Sequence, residues 1–107
     1  MVEYLPEVFR RFEQQYPDVM GAYERLAEKL HGAGPLSQRE RRLVKLAIAA
    51  GSVAEGAVRS HTRKALDEGV EPDALRHVAV LTVSTAGYPA AIAAYGWINE
   101  VIDSETS

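Results

Sequence analysis

The sequence contains two adjacent segments in which apolar residues recur every three or four positions: SQRERRLVKLAIAAG (residues 37–51) and AEGAVRSHTRKALDEG (residues 54–69). This spacing is typical of α-helices. Ser37, followed by Glu40 three residues later, is a capping-box pattern and predicts where the first of these helices begins. Gly69 is typical of a residue that ends a helix. The two segments therefore predict consecutive helices joined by a short turn.

The same periodicity continues on both sides of this pair, and five prolines divide it into segments. Further helices are predicted over residues 6–16, 18–31, 72–86 and 90–103, with residues 104–107 fraying. Short connections favour antiparallel neighbours. The sequence therefore predicts an all-α fold, a compact bundle of about six helices, and residues 1–107 are interpreted as a single domain.

Composition excludes several classes of function. The chain has 107 residues, a formal net charge of −3 and no cysteine. Without cysteine there is no disulfide, thiolate metal site or thiol nucleophile. The basic residues form no dense cluster, which argues against a nucleic-acid partner. No apolar run approaches the roughly 20 residues that cross a bilayer, and no signal peptide is recognised, so we expect a cytoplasmic protein without a membrane partner.

His61 is the first candidate for chemistry. At about 100° per residue it shares a helix face with Ala54, Ala57, Val58 and Ala65, which predicts an inward-facing imidazole among small apolar side chains. Histidine is a general acid or base near neutral pH. A buried histidine bonded to a backbone carbonyl is the structural alternative, and the spacing leaves both open.

Charged residues on the same helix are further candidates. Glu55 and Arg59 are spaced as an ion pair within one helix, and Glu55 could also orient a proton, although it points away from His61. Arg59, Arg63 and Lys64 could hold a carboxylate or form a solvated face. Tyr88 could line a pocket or serve as interface material. The three histidines lack the spacing of a metal site, so no metal is expected.

The order and spacing of four segments resemble the carboxymuconolactone decarboxylase family, which includes alkyl hydroperoxidase D-like proteins. The segments lie within residues 43–102: LVKLAIAAG at 43–51, SHTRKAL at 60–66, GVEPDALR at 69–76 and AGYPAA at 86–91. The resemblance implies an alkyl hydroperoxidase D-like helical fold that assembles as a homotrimer or homohexamer.

The resemblance also identifies positions where this chain departs from the peroxidase branch of the family. That branch has two cysteines and a glutamate where this chain has Ala54, Ala57 and Arg42, and only His61 matches. Peroxide reduction needs a thiolate to attack and a second thiol to resolve the intermediate. The resemblance therefore implies a member that has lost its redox positions and has no thiol peroxidase activity.

The decarboxylase branch lacks the cysteine pair and has a histidine in the setting HTRKAL, here residues 61–66. It implies cofactor-free acid–base chemistry on a small carboxylate or lactone. His61 would deliver a proton, and Arg42, Arg59 or Arg63 would bind the carboxylate. The alternative is a non-catalytic oligomeric module, for binding or structure, that kept the fold after losing the cysteines. The sequence does not decide whether the chain is an enzyme.

Overall fold

The computed structural model describes residues 7–106, which contain six α-helices and no strand. The helices are α1 (Glu7–Gln15), α2 (Pro17–His31), α3 (Gln38–Gly51), α4 (Glu55–Asp67), α5 (Pro72–Ala86) and α6 (Tyr88–Thr106). The predicted all-α fold and the predicted number of helices are confirmed.

Helix α6 is longer at both ends than the sequence predicts. It begins at Tyr88, two residues early, because Pro89 is well tolerated in a first turn, where its missing N–H has no helical partner. It continues through Thr106, three residues past the predicted end. Val101 and Ile102 are buried and anchor the last turns. The fraying predicted for residues 104–107 is therefore wrong for residues 104–106, and residue 107 lies outside the described residues.

The chain divides into two compact units, residues 1–35 and residues 36–107. In the first, α1 contacts α2 through the short turn at Tyr16. The rings of Phe12 and Tyr16 lie 5.4 Å apart between centroids. Neither helix contains a buried residue. Packing within this unit is therefore confined to partly exposed side chains.

The second unit contains α3 to α6 around one apolar core. Helix α6 packs on α5 and α4, and α3 packs on α4 and α5. The core is made largely of alanine, valine, leucine and isoleucine: Leu46, Ala49, Ala50, Val58, Ala65, Val70, Leu75, Val78, Ala79, Ala94, Ile98 and Ile102. Small side chains let helix axes approach closely, which suits a core built from short helices. A single domain over residues 1–107 stays a prediction.

Two polar side chains are buried in this core, Thr62 on α4 and Thr82 on α5. Each hydroxyl donates to the carbonyl four residues earlier, Val58 at 2.7 Å and Val78 at 2.8 Å. These bonds satisfy the hydroxyls locally, as threonine does within helices. Over the described part of the chain, no helix is long and apolar enough to cross a membrane.

Candidate functional site

His61 lies at the edge of the buried face of α4. Val58, Thr62 and Ala65 form the buried centre of that face, whereas His61 is only partly buried. The predicted inward position among small apolar side chains holds only in part, because Val58, Thr62 and Ala65 are all fully buried and His61 lies beside them. The imidazole lies next to Arg42 of α3 and is partly exposed.

The start of α3 determines which of its side chains face α4. The Ser37 hydroxyl accepts from the backbone N–H of Glu40 at 3.1 Å, and the Glu40 carboxylate accepts from the N–H of Ser37 at 2.8 Å. The predicted capping box is thus confirmed. Because the cap sets the first turn, it also sets the direction of Arg42 one turn later.

Arg42 contacts both His61 on α4 and Glu68, the C-cap residue of that helix. Its Nη1 lies 2.7 Å from Nδ1 of His61. Its Nε and Nη2 donate to the two carboxylate oxygens of Glu68 at 3.1 Å and 2.8 Å. The side chains of Arg42 and Glu68 are only 11% and 21% exposed. His61 and Glu68 are seven residues apart, two helical turns, so both project from one side of α4.

The Arg42 contact determines which nitrogen of His61 carries the proton. A guanidinium group has only N–H donors and no acceptor. Nδ1 of His61 must therefore accept with its lone pair, which leaves the imidazole neutral with its proton on Nε2. In this state the ring can donate a hydrogen bond from Nε2 to a ligand.

The charges around His61 favour the same neutral state. Burial, followed by the positive charge of Arg42, Lys64 and Lys45, lowers the pKa of His61 from 6.5 to about 4, against an opposing effect of Glu68. At pH 7 this leaves roughly one ring in a thousand protonated. His61 is therefore a neutral hydrogen-bonding group at physiological pH, surrounded by three cations and one carboxylate.

Burial also acts on the basic and acidic neighbours of His61. It lowers the pKa values of Lys45 and Lys64, and the positive charge of Arg42 lowers both further. The hydrogen bonds from Arg42 hold the pKa of Glu68 below its ordinary value. Glu68 is therefore ionised throughout the physiological range, and the cluster carries a net positive charge that favours an anionic ligand.

The predicted pair Glu55 and Arg59 forms, but apart from His61. Arg59 Nε donates to Glu55 at 3.0 Å, and its Nη2 donates to Glu100 on α6 at 2.7 Å. These two carboxylates raise the pKa of Arg59, with Glu100 the larger cause. Arg59 thus joins α4 to α6 as part of a surface ion-pair network, which supports a structural role for it and for Glu55.

The other predicted positions lie at the surface or against the core. Arg63 is partly buried on α4, and Tyr88 is 62% exposed at the start of α6. Ala54 is the N-cap residue of α4 and offers no side-chain hydrogen bond. Ala57 packs against the core. Of the predicted site residues, the structure thus brings together Arg42 and His61.

Sequence reasoning missed Glu68 and Lys45. One signal could have found Glu68: an acidic side chain two turns after His61, with an arginine on the preceding helix. Nothing local shows that Lys45 approaches His61, because the two residues lie on different helices.

A small groove opens beside Glu68, lined by Gln38, Arg39, Glu68, Gly69 and Val70, with a volume of about 80 Å³. This is room for two or three water molecules and is well below the size of ordinary ligand pockets. Among residues 7–106 no group of three or more histidine, aspartate or glutamate side chains is placed to hold a metal ion.

Comparison with known proteins supports the resemblance drawn from the sequence. The model of a family described as the carboxymuconolactone decarboxylase family matches residues 17–100. The match begins within α2, earlier than the segments that first showed the resemblance, and it includes Arg42, His61 and Glu68. Searches of curated proteins and of solved structures gave no match.

Proposed function

Because this chain belongs to the carboxymuconolactone decarboxylase family, we propose that it is a cofactor-free lyase that decarboxylates a small carboxylate or lactone. The hydrogen bond of 2.7 Å between Arg42 and Nδ1 of His61 carries this proposal, since it gives the site a neutral imidazole with a defined donor. The chain contains no cysteine, so thiol peroxidase chemistry is excluded from its function.

The charge of the cluster supports an anionic substrate. Arg42, Lys45 and Lys64 all act on His61 as cations, against the single carboxylate of Glu68. Arg42 is engaged by Glu68 through two hydrogen bonds. Lys45 and Lys64 add positive charge beside the ring, which attracts a substrate carboxylate. Arg42 instead donates a hydrogen bond to the imidazole.

The reaction needs charge stabilisation more than a strong acid. Decarboxylation breaks the bond to the departing carbon dioxide and leaves an electron pair on the neighbouring carbon, where a conjugated lactone carbonyl receives it as an enolate. The carbon afterwards takes up a proton. A hydrogen bond from Nε2 of His61 to the enolate oxygen stabilises the developing charge.

This role differs from the one expected from the sequence, in which His61 delivers a proton to the carbanion. With a pKa of about 4, His61 is neutral at pH 7 and has no imidazolium proton to deliver. A neutral imidazole that acts as an electrophile is a known solution for enolate chemistry. In this proposal water therefore supplies the proton that the carbon takes up, and His61 donates a hydrogen bond to the enolate oxygen.

The assay is release of carbon dioxide from a carboxymuconolactone by the purified protein, with His61→Asn as the test variant. The asparagine oxygen reaches the Nδ1 position and keeps the partner of Arg42, but the shorter side chain has no donor at the Nε2 position. We expect kcat to fall about 100-fold to 1,000-fold, the loss typical of one oxyanion donor.

The matched control is His77→Asn, which changes an exposed histidine on α5. It should leave kcat unchanged. Wild-type turnover that survives His61→Asn would contradict the role of His61. Absence of any turnover in the wild type would instead favour the non-catalytic module.

A further inference from the structure

Both carboxylate oxygens of Glu68 accept hydrogen bonds from Arg42. Such two-point arginine–carboxylate pairs fix the plane of the guanidinium as well as its position. The contact distances are 3.1 Å and 2.8 Å, and the Arg42 side chain is largely buried, so it has little freedom to turn. The remaining Nη1 is then directed at Nδ1 of His61.

A second ion pair joins the same parts of the fold without touching the imidazole. Arg39, one turn before Arg42, pairs with Glu71 in the connection between α4 and α5. The side chains of Arg39 and Glu71 are 53% and 58% exposed. Two arginines of α3 thus bind two glutamates near the end of α4, but only the inner pair contacts His61.

From this geometry we propose that Glu68 is a positioning residue: by holding the Arg42 guanidinium, it keeps the proton of His61 on Nε2. Arginine can only donate, so His61 must accept at Nδ1 as long as Arg42 stays in place. Without Glu68, Arg42 is free to leave Nδ1, and the imidazole proton can then occupy either nitrogen. The effect of Glu68 on turnover rests on the function proposed above, whereas its effect on the tautomer does not.

A purely structural role for Glu68 has a different consequence. In that case the pair would only tie α3 to the end of α4, and its removal would lower stability and leave the tautomer unchanged. The tautomer is therefore the decisive measurement, since it separates the positioning role from a structural one.

The experiment is a long-range ¹H–¹⁵N NMR spectrum of the histidine rings at pH 8, which distinguishes protonated from unprotonated ring nitrogens. We expect His61 of the wild type to show Nε2–H alone. In Glu68→Ala the Nδ1–H form should become a measurable population. Where the lyase assay detects turnover, kcat should fall roughly 10-fold to 100-fold, as expected when a reacting group is misplaced.

Glu71→Ala is the matched control, because it removes the outer pair from the same connection. It should leave both the His61 tautomer and turnover as in the wild type. Glu68→Gln is a milder variant for the case that Glu68→Ala is poorly folded, because it keeps the shape and loses the charge. We expect the same direction of change in the tautomer.

An unchanged Nε2–H signal in a folded Glu68 variant would overturn the positioning role. A changed tautomer in both the Glu68 and Glu71 variants would overturn it as well, since the effect would then come from a general loosening of α3. A changed tautomer in the Glu68 variants alone supports it, even if the wild type releases no carbon dioxide, a result that would count only against the lyase function.

Discussion

At the scale of single residues, the charge state of His61 is set first by its burial and then by the charged side chains around the ring. Most histidines titrate near neutral pH. If only alanines surrounded the ring, burial would be the only effect on its pKa. Arg42 adds a hydrogen bond and a positive charge on the same side of the ring. The imidazole is therefore held neutral by geometry and by electrostatics together.

This state predicts a loss of stability in mild acid. The pKa of His61 is about 4 in the folded chain and near 6.5 when unfolded, so the unfolded state binds the proton more tightly. The contribution to stability is complete above pH 6.5 and is lost as the pH falls to 4. After allowance for partial exposure, we expect a decrease of about 2 kcal/mol in the free energy of unfolding.

The measurement is urea denaturation at a series of pH values between 7 and 4. His61→Asn provides the reference, because it keeps an acceptor for Arg42 and does not titrate in this range. Its stability should vary much less between pH 6.5 and 4. Parallel curves for the two proteins would show that His61 does not titrate with a lowered pKa. Glu68 acts in the same direction at lower pH, because its folded pKa is also lowered.

At the scale of helices, α5 and α6 are separated by Gly87 alone. Its backbone has φ 103° and ψ 156°, a conformation that is essentially limited to glycine. The sequence predicts this break from Gly87 and Pro89, but it places the next helix two residues too late. The reason is that Pro89 is part of the first turn of α6 and does not precede it.

Gly87→Ala is expected to destabilise the protein by about 1–3 kcal/mol, because alanine is strained at this positive φ. Denaturant unfolding measures the change. Gly96→Ala is the control within α6, where an added Cβ meets no atom within 4 Å. It should be neutral or stabilising by up to about 1 kcal/mol, since alanine favours helix. Equal effects of the two substitutions would contradict the conformational argument.

At the scale of the whole molecule, the second unit leaves large apolar side chains exposed. On α5 these are Val80, Leu81 and Val83, with exposed fractions of 57%, 57% and 45%. Tyr88 and Ile92 on α6 are also exposed. Exposed apolar side chains in such number are typical of association surfaces. This exposed surface agrees with the assembly of identical subunits that the family resemblance implies. The assembly itself stays a prediction.

Light scattering at micromolar concentration is expected to give a mass several times the 11.7 kDa of one chain. Leu81→Glu should reduce that mass, because burying a carboxylate at a subunit contact is costly. A wild type of 11.7 kDa would contradict self-association.

The sequence predicted the helices well because their signals are local. The capping box at Ser37, the prolines and the apolar spacing each act within one or two turns. It also identified both members of the contact between Arg42 and His61, although as separate candidates. It did not predict that Thr62 belongs to the buried face of α4 and that His61 lies at its edge, because the helical period alone does not fix how a helix is turned against its neighbours.

By itself, then, the amino-acid sequence determined an all-helical chain, the approximate bounds of its helices, the absence of cysteine from residues 1–107 and the family. Only the tertiary structure decided that Arg42 joins His61 to Glu68, that Arg59 belongs to a different network and that the imidazole is neutral. The physical reason is that hydrogen bonding within a helix depends on residues three or four positions apart. The charge and tautomer of His61 depend instead on a side chain 19 residues away, brought within 2.7 Å by the packing of two helices.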